Sequence, residues 1–188
     1  SGETRLVIDQ SFAAFAEGQL PAAQLLASDR VVLVRSLTKR LGTPGVRVGY
    51  ILGPPRLLAP LRVGRDPWPV GAHALAAARS ASWVLTPAER RTLARWRRDL
   101  SDALRRRGLR PLSSTANFIL VEVGAAAPML VAAAAQRRIA VRSGASFGLS
   151  GYVRLAVRPP AEQARLLAAI DAAEAEGEMR AEKGATQA

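Results

Sequence analysis

Cysteine is missing from the 188-residue chain, and histidine occurs once, at position 73. Without cysteine the chain forms neither disulfides nor thiolate sites, which is compatible with a cytoplasmic protein, the localisation we predict. A single histidine excludes the usual histidine-based metal clusters, and no Asp and Glu set has the spacing of a metal site, so we expect no metal. No apolar run approaches the length of a membrane span, so we expect neither a signal sequence nor a membrane partner.

Lysine is almost as scarce, at positions 39 and 183 only, so arginine supplies nearly all of the positive charge behind the net +12. A strong positive charge is typical of proteins that bind nucleic acids. Here the densest arginine segment, residues 90–107, is interleaved with acidic and apolar residues, as on the solvated face of a helix. Because aromatics are few and no known binding motif is present, we predict that the chain does not bind nucleic acid.

The segment around Lys39 reads SLTKRLGTPGVRVGY, from residue 36 to residue 50. The β-branched run 31–34 before Lys39 and the run 46–52 after it each predict a strand. Lys39 is therefore predicted on a loop beside a sheet, where a desolvated amine can form a Schiff base with an aldehyde. Hydroxyl and guanidinium groups that suit a phosphate are close in sequence, at Ser36, Thr38 and Arg47. Together they predict an aldehyde cofactor with a phosphate, pyridoxal 5′-phosphate, although solvated charges are the alternative.

A carboxylate lies at the end of an earlier predicted strand. Residues 5–8 are strand-like, Asp9 follows them, and Phe12 comes three residues later. At the carboxyl end of a neighbouring strand, Asp9 is placed to pair with the pyridinium nitrogen of the cofactor. A turn or helix-capping role for Asp9 stays open. The order strand, helix, strand predicts an α/β fold whose ligands lie beyond the carboxyl ends of the strands.

The order D-x-x-F, then S-L-T-K with PGxRxGY behind it, resembles the fold-type I pyridoxal-phosphate enzymes of the class I and II aminotransferase family. Within that family it is similar to the histidinol-phosphate aminotransferases and most closely to the threonine-phosphate decarboxylases. The resemblance implies that Lys39 binds the cofactor aldehyde, that Asp9 pairs with the ring nitrogen, and that Ser36 and Arg47 bind the cofactor phosphate. Phe12 stands where aminotransferases commonly have a tyrosine near the cofactor's phenolic oxygen, and phenylalanine fits the decarboxylase-like relatives better.

The resemblance also implies a division of the chain. We expect a partial large domain with a three-layer α/β sheet over residues 1–85, an interdomain helix over 86–108, an α+β small domain over 109–176 and a mobile tail over 177–188. The resembled enzymes are about twice as long, as two-domain chains are. We therefore expect either an amino-terminal half supplied elsewhere or an intertwined homodimer, because three strands leave both edges of the sheet unpaired.

Two arginines in the carboxyl-terminal part are candidate anion ligands. Arg154 alternates with apolar residues on the predicted strand 152–157, where an unpaired guanidinium is costly. Arg142 ends a shorter predicted strand that begins at Ile139. The resemblance makes Arg154 the ligand of the substrate's α-carboxylate or phosphate, and Arg142 a second anion ligand. Structural salt bridges are the alternative for both.

Asn117 and Trp68 are the remaining candidate substrate contacts. Asn117 opens the predicted strand 117–123, and a turn or edge role is its alternative. Trp68 lies between two prolines in a predicted loop, and its alternative is an anchor that packs the loop. Apolar residues spaced by three and four also predict an amphipathic helix up to Gly108, with its arginines on the solvated side.

The resemblance implies a threonine-phosphate decarboxylase of cobalamin biosynthesis that acts on a small phosphorylated amino acid. Loss of carbon dioxide from O-phosphothreonine would give 1-aminopropan-2-ol phosphate. The runner-up is a histidinol-phosphate-type aminotransferase, because the choice between the two depends on which bond of the α-carbon lies perpendicular to the ring. A prediction of a different class is a catalytically silent chain that needs a missing amino-terminal half.

Overall fold

A computed structural model of the protein describes residues 4–16, 21–80 and 85–185. The chain folds as two units, Ser1–Ala88 and Glu89–Ala188, and each has its own sheet. The predicted mixture of strands and helices is confirmed. Within the described ranges no helix combines the length and the apolar character that crossing a membrane requires.

The first unit is built on a three-stranded sheet with the order β1-β2-β3. Its elements are β1 (Leu6–Asp9), α1 (Ala22–Leu25), β2 (Val31–Ser36), α2 (Thr38–Leu41), β3 (Gly49–Leu52), α3 (Pro55–Val63) and α4 (Ala72–Ser80). Strands β1 and β2 are parallel, whereas β2 and β3 are antiparallel. The carboxyl ends of β1 and β2 therefore lie at the same end of the sheet as the start of β3.

Strand β2 is the buried centre of this sheet. Its β-branched start, Val31 and Val32, and the following Leu33 are buried, while β1 and β3 are mostly exposed. As the sequence predicted, the outer edges of β1 and β3 have no partner strand among the described residues. Gly49 allows β3 to start beside β2, because a Cβ at this position would lie 2.5 Å from the Arg35 carbonyl oxygen.

The second unit is built on a four-stranded antiparallel sheet with the order β4-β5-β7-β6. Its elements are α5 (Pro87–Arg105), β4 (Arg110–Pro111), β5 (Phe118–Glu122), α6 (Ala127–Gln136), β6 (Arg142–Ser143), β7 (Tyr152–Ala156) and α7 (Pro160–Ala185). Helix α5 starts in the last two residues of the first unit and otherwise belongs to the second. A 3₁₀ turn, Ala145–Phe147, joins β6 to the loop before β7.

Period-two alternation gives this sheet one apolar face and one mixed face. On the apolar face Ile119, Val121, Val153 and Leu155 are almost completely buried. They pack with buried residues of α5, α6 and α7, which are Leu100, Leu104, Ala127, Leu130, Leu166 and Ile170. The opposite face carries the alternate residues of β5 and β7, among them Arg154.

Two secondary-structure predictions are wrong in detail. Lys39 lies in the one-turn helix α2, not in a loop, because the side chain of Thr38 bonds to the facing segment and closes the backbone into a turn. Residues 139–141 do not form a strand, since β6 starts at Arg142. The apolar side chains of Ile139 and Val141 pack against the core from a segment that is not a strand.

Two further predictions need correction. Most of the predicted tail over 177–188 is helical, because α7 continues to Ala185 through a segment in which alanine, glutamate and arginine favour helix. The arginines of α5 are not all on its solvated side, because Arg97 is buried. The Nη1 atom of Arg97 donates to the carbonyl oxygens of Thr115 and Ala116, at 3.3 and 3.1 Å, which satisfies the buried charge in part.

Candidate active site

Strand register and the segments that adjoin the strands bring four of the predicted site residues to one end of the first sheet. Asp9 pairs with Val34 of β2, and Ser36, at the end of β2, pairs with Gly49 at the start of β3. Arg47 lies two residues before Gly49, in the segment that leads into β3. Helix α2, which carries Lys39, follows directly after β2. The sheet thus gathers an acid, a hydroxyl, a guanidinium and an amine at the end where its two parallel strands finish.

Lys39 and Phe12 make a direct contact across this end of the sheet. The Nζ atom of Lys39 lies 5.3 Å from the centroid of the Phe12 ring, within the range of a cation–π interaction. Phe12 is held in a tight turn after β1, in which Ala13 N donates to Gln10 O and Phe15 N donates to Phe12 O. The turn that follows Asp9 therefore reaches the predicted cofactor lysine.

Asp9 is held in its charged form by its own turn. The Oδ1 atom of Asp9 accepts a hydrogen bond of 2.8 Å from Ser11 N. The pKa of Asp9 lies below its ordinary value because the Ser11 hydroxyl and the Ser11 backbone N–H both bond to the carboxylate. The turn role that the sequence left open is therefore realised. It is compatible with the predicted cofactor role, since an ionised carboxylate is the form that pairs with a protonated ring nitrogen.

The three candidate phosphate ligands differ in how much of their hydrogen-bonding capacity is still available. Thr38 is buried, and its hydroxyl donates to Val46 O at 2.8 Å and accepts from Val48 N at 3.2 Å. Because a hydroxyl has one proton, Thr38 has no donor left for a phosphate, and the structure assigns it to bracing the lysine segment. The exposed Arg47 donates only a long bond of 3.4 Å to Pro44 O. Its remaining N–H groups, and the half-buried Ser36, are free to bind an anion.

Sequence reasoning missed a set of three hydrogen-bonded side chains that links the segment after β1 to β2 and β3. Gln10, which follows Asp9, is buried, and its Oε1 accepts a hydrogen bond of 2.9 Å from Arg35 Nε. Arg35 Nη1 in turn donates to the Tyr50 hydroxyl at 3.4 Å. Arg35 directly follows the apolar run 31–34 of β2, and a charged residue at the end of such a run could have marked it as a candidate for a polar contact. The set fixes the segment after β1 against β2 and β3.

A hollow of about 720 Å³ opens on the first unit beside this network. Arg35, Tyr50 and Ile51 of the sheet form one wall, and Leu58 and Leu61 of α3 form another. Arg62 and Arg65 contribute positive charge, and none of the lining residues is acidic. Asp9 and Lys39 do not line this hollow, so it is a separate feature from the end of the sheet.

In the second unit Arg142 and Arg154 lie directly opposite each other on β6 and β7. Neither guanidinium is paired with a carboxylate among the residues that the structure describes. Like charges on opposite residues of neighbouring strands are destabilising. The salt-bridge alternative is therefore not supported, and the pair has the character of an anion site.

Each of these two guanidiniums lies over a phenylalanine ring. The Cζ atom of Arg154 is 5.1 Å from the centroid of Phe118, and that of Arg142 is 5.1 Å from the centroid of Phe147. Arg142 Nη2 also donates to Ser146 Oγ at 2.8 Å. The sheet and the 3₁₀ turn thus hold both positive groups in place without a counter-charge.

Asn117 and Trp68 are less well defined by their surroundings. Asn117 precedes β5, its carbonyl oxygen accepts from Val157 N, and its Oδ1 is buried with no hydrogen-bond partner among the described residues. An unsatisfied acceptor can take a ligand donor, so its substrate contact stays a prediction. The Trp68 side chain is 92% exposed, so the packing-anchor alternative is wrong within the first unit. Contact with a substrate remains predicted for Trp68.

Comparison with known proteins places these features in context. The family model described as aminotransferase class I and II matches residues 2–170. A histidinol-phosphate aminotransferase from Symbiobacterium thermophilum is 35% identical over 177 residues, which cover 93% of this chain and 49% of that protein. A histidinol-phosphate aminotransferase from Mycobacterium tuberculosis is 37% identical over 174 residues, 88% of this chain and 46% of that protein. The chain spans about half the length of the relatives it matches.

Solved structures of similar fold include both predicted activities. The L-threonine-O-3-phosphate decarboxylase from Porphyromonas gingivalis has a TM-score of 0.76 and 28% identity, over 88% of this chain and 54% of that one. A histidinol-phosphate aminotransferase from Sinorhizobium meliloti, in complex with pyridoxal 5′-phosphate, has a TM-score of 0.73 and 25% identity, over 90% of this chain and 48% of that one. The fold predicted from the sequence is that of these enzymes.

Proposed function

From its membership of the aminotransferase class I and II family, whose enzymes use pyridoxal 5′-phosphate, we propose that the chain provides the cofactor lysine and the substrate anion site of an enzyme that acts on a phosphorylated amino acid. The reaction we propose is the decarboxylation of O-phosphothreonine to 1-aminopropan-2-ol phosphate. The choice of substrate class rests on Arg142 and Arg154, which lie opposite each other on neighbouring strands and have no carboxylate partner among the described residues. Two adjacent guanidiniums match a doubly charged phosphate better than they match a single carboxylate.

The residues at the end of the first sheet fit the cofactor in their chemistry. Asp9 is ionised and would hold the proton of the ring nitrogen, while Ser36 and Arg47 would bind the phosphate. The Lys39 amine would bind the aldehyde and later move a proton at the substrate's α-carbon. When bound, pyridoxal 5′-phosphate supplies a ring that accepts electrons from bonds to that carbon.

Phe12 supports decarboxylation over transamination in this proposal. Its ring lies against the Lys39 amine, at 5.3 Å, and has no hydroxyl to donate a hydrogen bond near the amine. Arg154, on the half-buried face of β7, would bind one acidic group of the substrate, and Arg142 would complete the site. Holding the phosphate leaves the α-carboxylate to be oriented for loss as carbon dioxide.

A histidinol-phosphate-type aminotransferase is the second candidate, because the sequence relatives with 35% and 37% identity are named so. The two candidates share the phosphate site and differ in the bond that breaks. Supplied with pyridoxal 5′-phosphate and carboxyl-labelled O-phosphothreonine, a decarboxylase releases labelled carbon dioxide. Release of a keto product from histidinol phosphate when a 2-oxo acid is supplied as amino acceptor, without carbon dioxide from O-phosphothreonine, would establish the aminotransferase instead.

The catalytically silent alternative applies to the chain on its own, and the partners remain proposals. We propose a small phosphorylated amino acid as substrate, a homodimer or a complementary amino-terminal half as protein partner, and a cytoplasmic location. A chain that binds neither cofactor nor phosphate alone, but does so after addition of the complementary half of a relative, would support the silent reading. Light scattering on the chain alone distinguishes the dimer from the monomer.

A further inference from the structure

Three of the four phenylalanines in the chain lie against positively charged groups that the proposed chemistry uses. Phe12 lies against Lys39, Phe118 against Arg154, and Phe147 against Arg142. The chain has many arginines, and the cross-strand pair of the anion site lies over two of these rings. Aromatic rings are scarce in this sequence, and their placement coincides with the predicted site.

We infer that Phe118 and Phe147 are positioning residues that hold the two guanidiniums by their faces. This leaves in-plane N–H groups of both for a substrate phosphate, apart from the Arg142 Nη2 donor that bonds to Ser146 Oγ. This inference rests on the proposed anion role of Arg142 and Arg154. A carboxylate partner would also immobilise an arginine, but it would neutralise the charge and compete with the ligand. An aromatic ring attracts the cation through its face and occupies none of the N–H donors.

The surroundings of Phe147 support this role. Phe147 is 63% exposed, so its ring gains little from burial in the core, and packing does not explain its position. Ser146, the residue before it, accepts a hydrogen bond from the same guanidinium, so one short turn contacts Arg142 by ring and by hydroxyl. Gly144 lets the turn fold tightly, since a Cβ there would lie 2.4 Å from the Leu149 carbonyl oxygen.

Phe118 makes the matching contact with Arg154 from β5, the strand on the opposite side of β7 from β6. Phe118 and Arg154 occupy neighbouring strands, and residue 118 is offset by two from Leu120, the direct partner of Arg154. Diagonal neighbours on one face of a sheet are within reach of long side chains. The ring therefore braces Arg154 on the side away from Arg142, and the two phenylalanines bracket the two arginines.

The test measures phosphate binding and arginine geometry separately, on the full 188-residue chain. Inorganic phosphate is titrated while the side-chain N–H signals of Arg142 and Arg154 are followed by NMR. Phe147→Leu keeps an apolar side chain but removes the ring; it should weaken phosphate binding about two- to fivefold and abolish the ring-current shift of the Arg142 signals. Phe147→Tyr keeps the ring and should retain both properties.

Phe15 provides the matched control, because no cation lies over its ring among the described residues. Phe15→Leu should leave phosphate binding and both arginine signals unchanged. Phe118→Leu should act on Arg154 as Phe147→Leu acts on Arg142, with thermal unfolding recorded because Phe118 is half-buried. Unchanged phosphate affinity and unchanged arginine shifts in Phe147→Leu would overturn the inference.

Failure of the proposed function gives a different result. Arg154→Gln should weaken phosphate binding about tenfold or more, because a charged hydrogen-bond donor is lost. If Arg154→Gln binds phosphate as the unchanged chain does, the anion site itself is wrong. If Arg154→Gln loses binding while both phenylalanine variants retain it, the anion site stands and the bracing role is overturned.

Discussion

The two units differ in how far they bury their own apolar residues. In the second unit both layers of the core are present, and four residues of the central strands, Ile119, Val121, Val153 and Leu155, are at most 2% exposed. In the first unit the outer strand β1 leaves Leu6 and Val7 52% and 65% exposed. The unit with the proposed substrate arginines is thus complete in itself, whereas the unit with the proposed cofactor lysine is open.

An open sheet with apolar outer strands is the kind of surface that another polypeptide covers. The difference between the units therefore locates the predicted protein partner on the first unit, along β1 or β3. It also separates two requirements of the proposed function. The proposed anion site lies on a sheet whose apolar face is covered by helices of its own unit. The proposed cofactor site lies at the strand ends of a sheet whose two outer edges have no partner strand among the described residues.

The largest expected effect is on cofactor attachment in the open unit. Because Lys39 and Lys183 are the chain's two lysines, reduction with sodium borohydride in the presence of pyridoxal 5′-phosphate should attach the cofactor at Lys39. Lys39→Ala should abolish this attachment completely, and Lys183→Ala is the matched control that should retain it. Mass spectrometry of proteolytic fragments locates the label. A label that persists in Lys39→Ala would refute the lysine assignment.

The next largest effect concerns stability. Leu155→Ala should lower the free energy of unfolding of the second unit by about 2–5 kcal/mol, since it leaves a cavity in a closed core. Val7→Ala, in the open unit, should change it by no more than about 0.5 kcal/mol, because the side chain is mostly exposed already. Urea denaturation followed by circular dichroism measures both. Equal losses would mean that a partner buries Val7 in solution.

A smaller effect tests how the open unit keeps its strands together. Gly49→Ala should destabilise the first unit by about 1–3 kcal/mol, because the added Cβ meets the Arg35 backbone, which cannot move without breaking the sheet. Gly45→Ala is the matched control, since nothing lies within 4 Å of a Cβ at that position. Hydrogen exchange at β2 and β3 measures the difference. Equal protection in both variants would show that the sheet accommodates the added Cβ without loss of the pairing between β2 and β3.

The sequence could predict β1, β2, β3, β5 and β7 because apolar, β-branched runs and period-two patterns are local signals. It placed Asp9 and Lys39 at one end of a sheet for the same reason. The strands β4 and β6 are two residues long and carry no such pattern. The contact between Gln10 and Arg35 spans 25 residues and depends on strand register, which no local pattern shows. The burial of Arg97 was visible in principle, because it lies four residues after Leu93 and three before Leu100 on the apolar stripe.

The smallest expected effect lies at the surface of the closed unit. Arg107, after α5, donates to both carboxylate oxygens of Asp171 on α7, with 2.9 Å between Nη2 and Oδ2. The pKa of Asp171 is lowered by this hydrogen bond, so its contribution is fully present above the ordinary value of 3.8 and is lost as the pH falls through the lower folded-state value.

Because the carboxylate is half exposed, solvent screening limits that contribution to about 1 kcal/mol or less at neutral pH. Asp171→Asn should therefore lower stability slightly at pH 7, and the effect should vanish once the pH is well below the lowered folded-state pKa of Asp171, where the carboxylate is protonated in both states. Asp102→Asn, which removes a contact within α5 alone, is the matched control. A loss from Asp171→Asn that is as large in acid as at pH 7 would mean that the side chain acts by packing. The ion pair between Arg107 and Asp171 would then contribute nothing to the stability of the second unit.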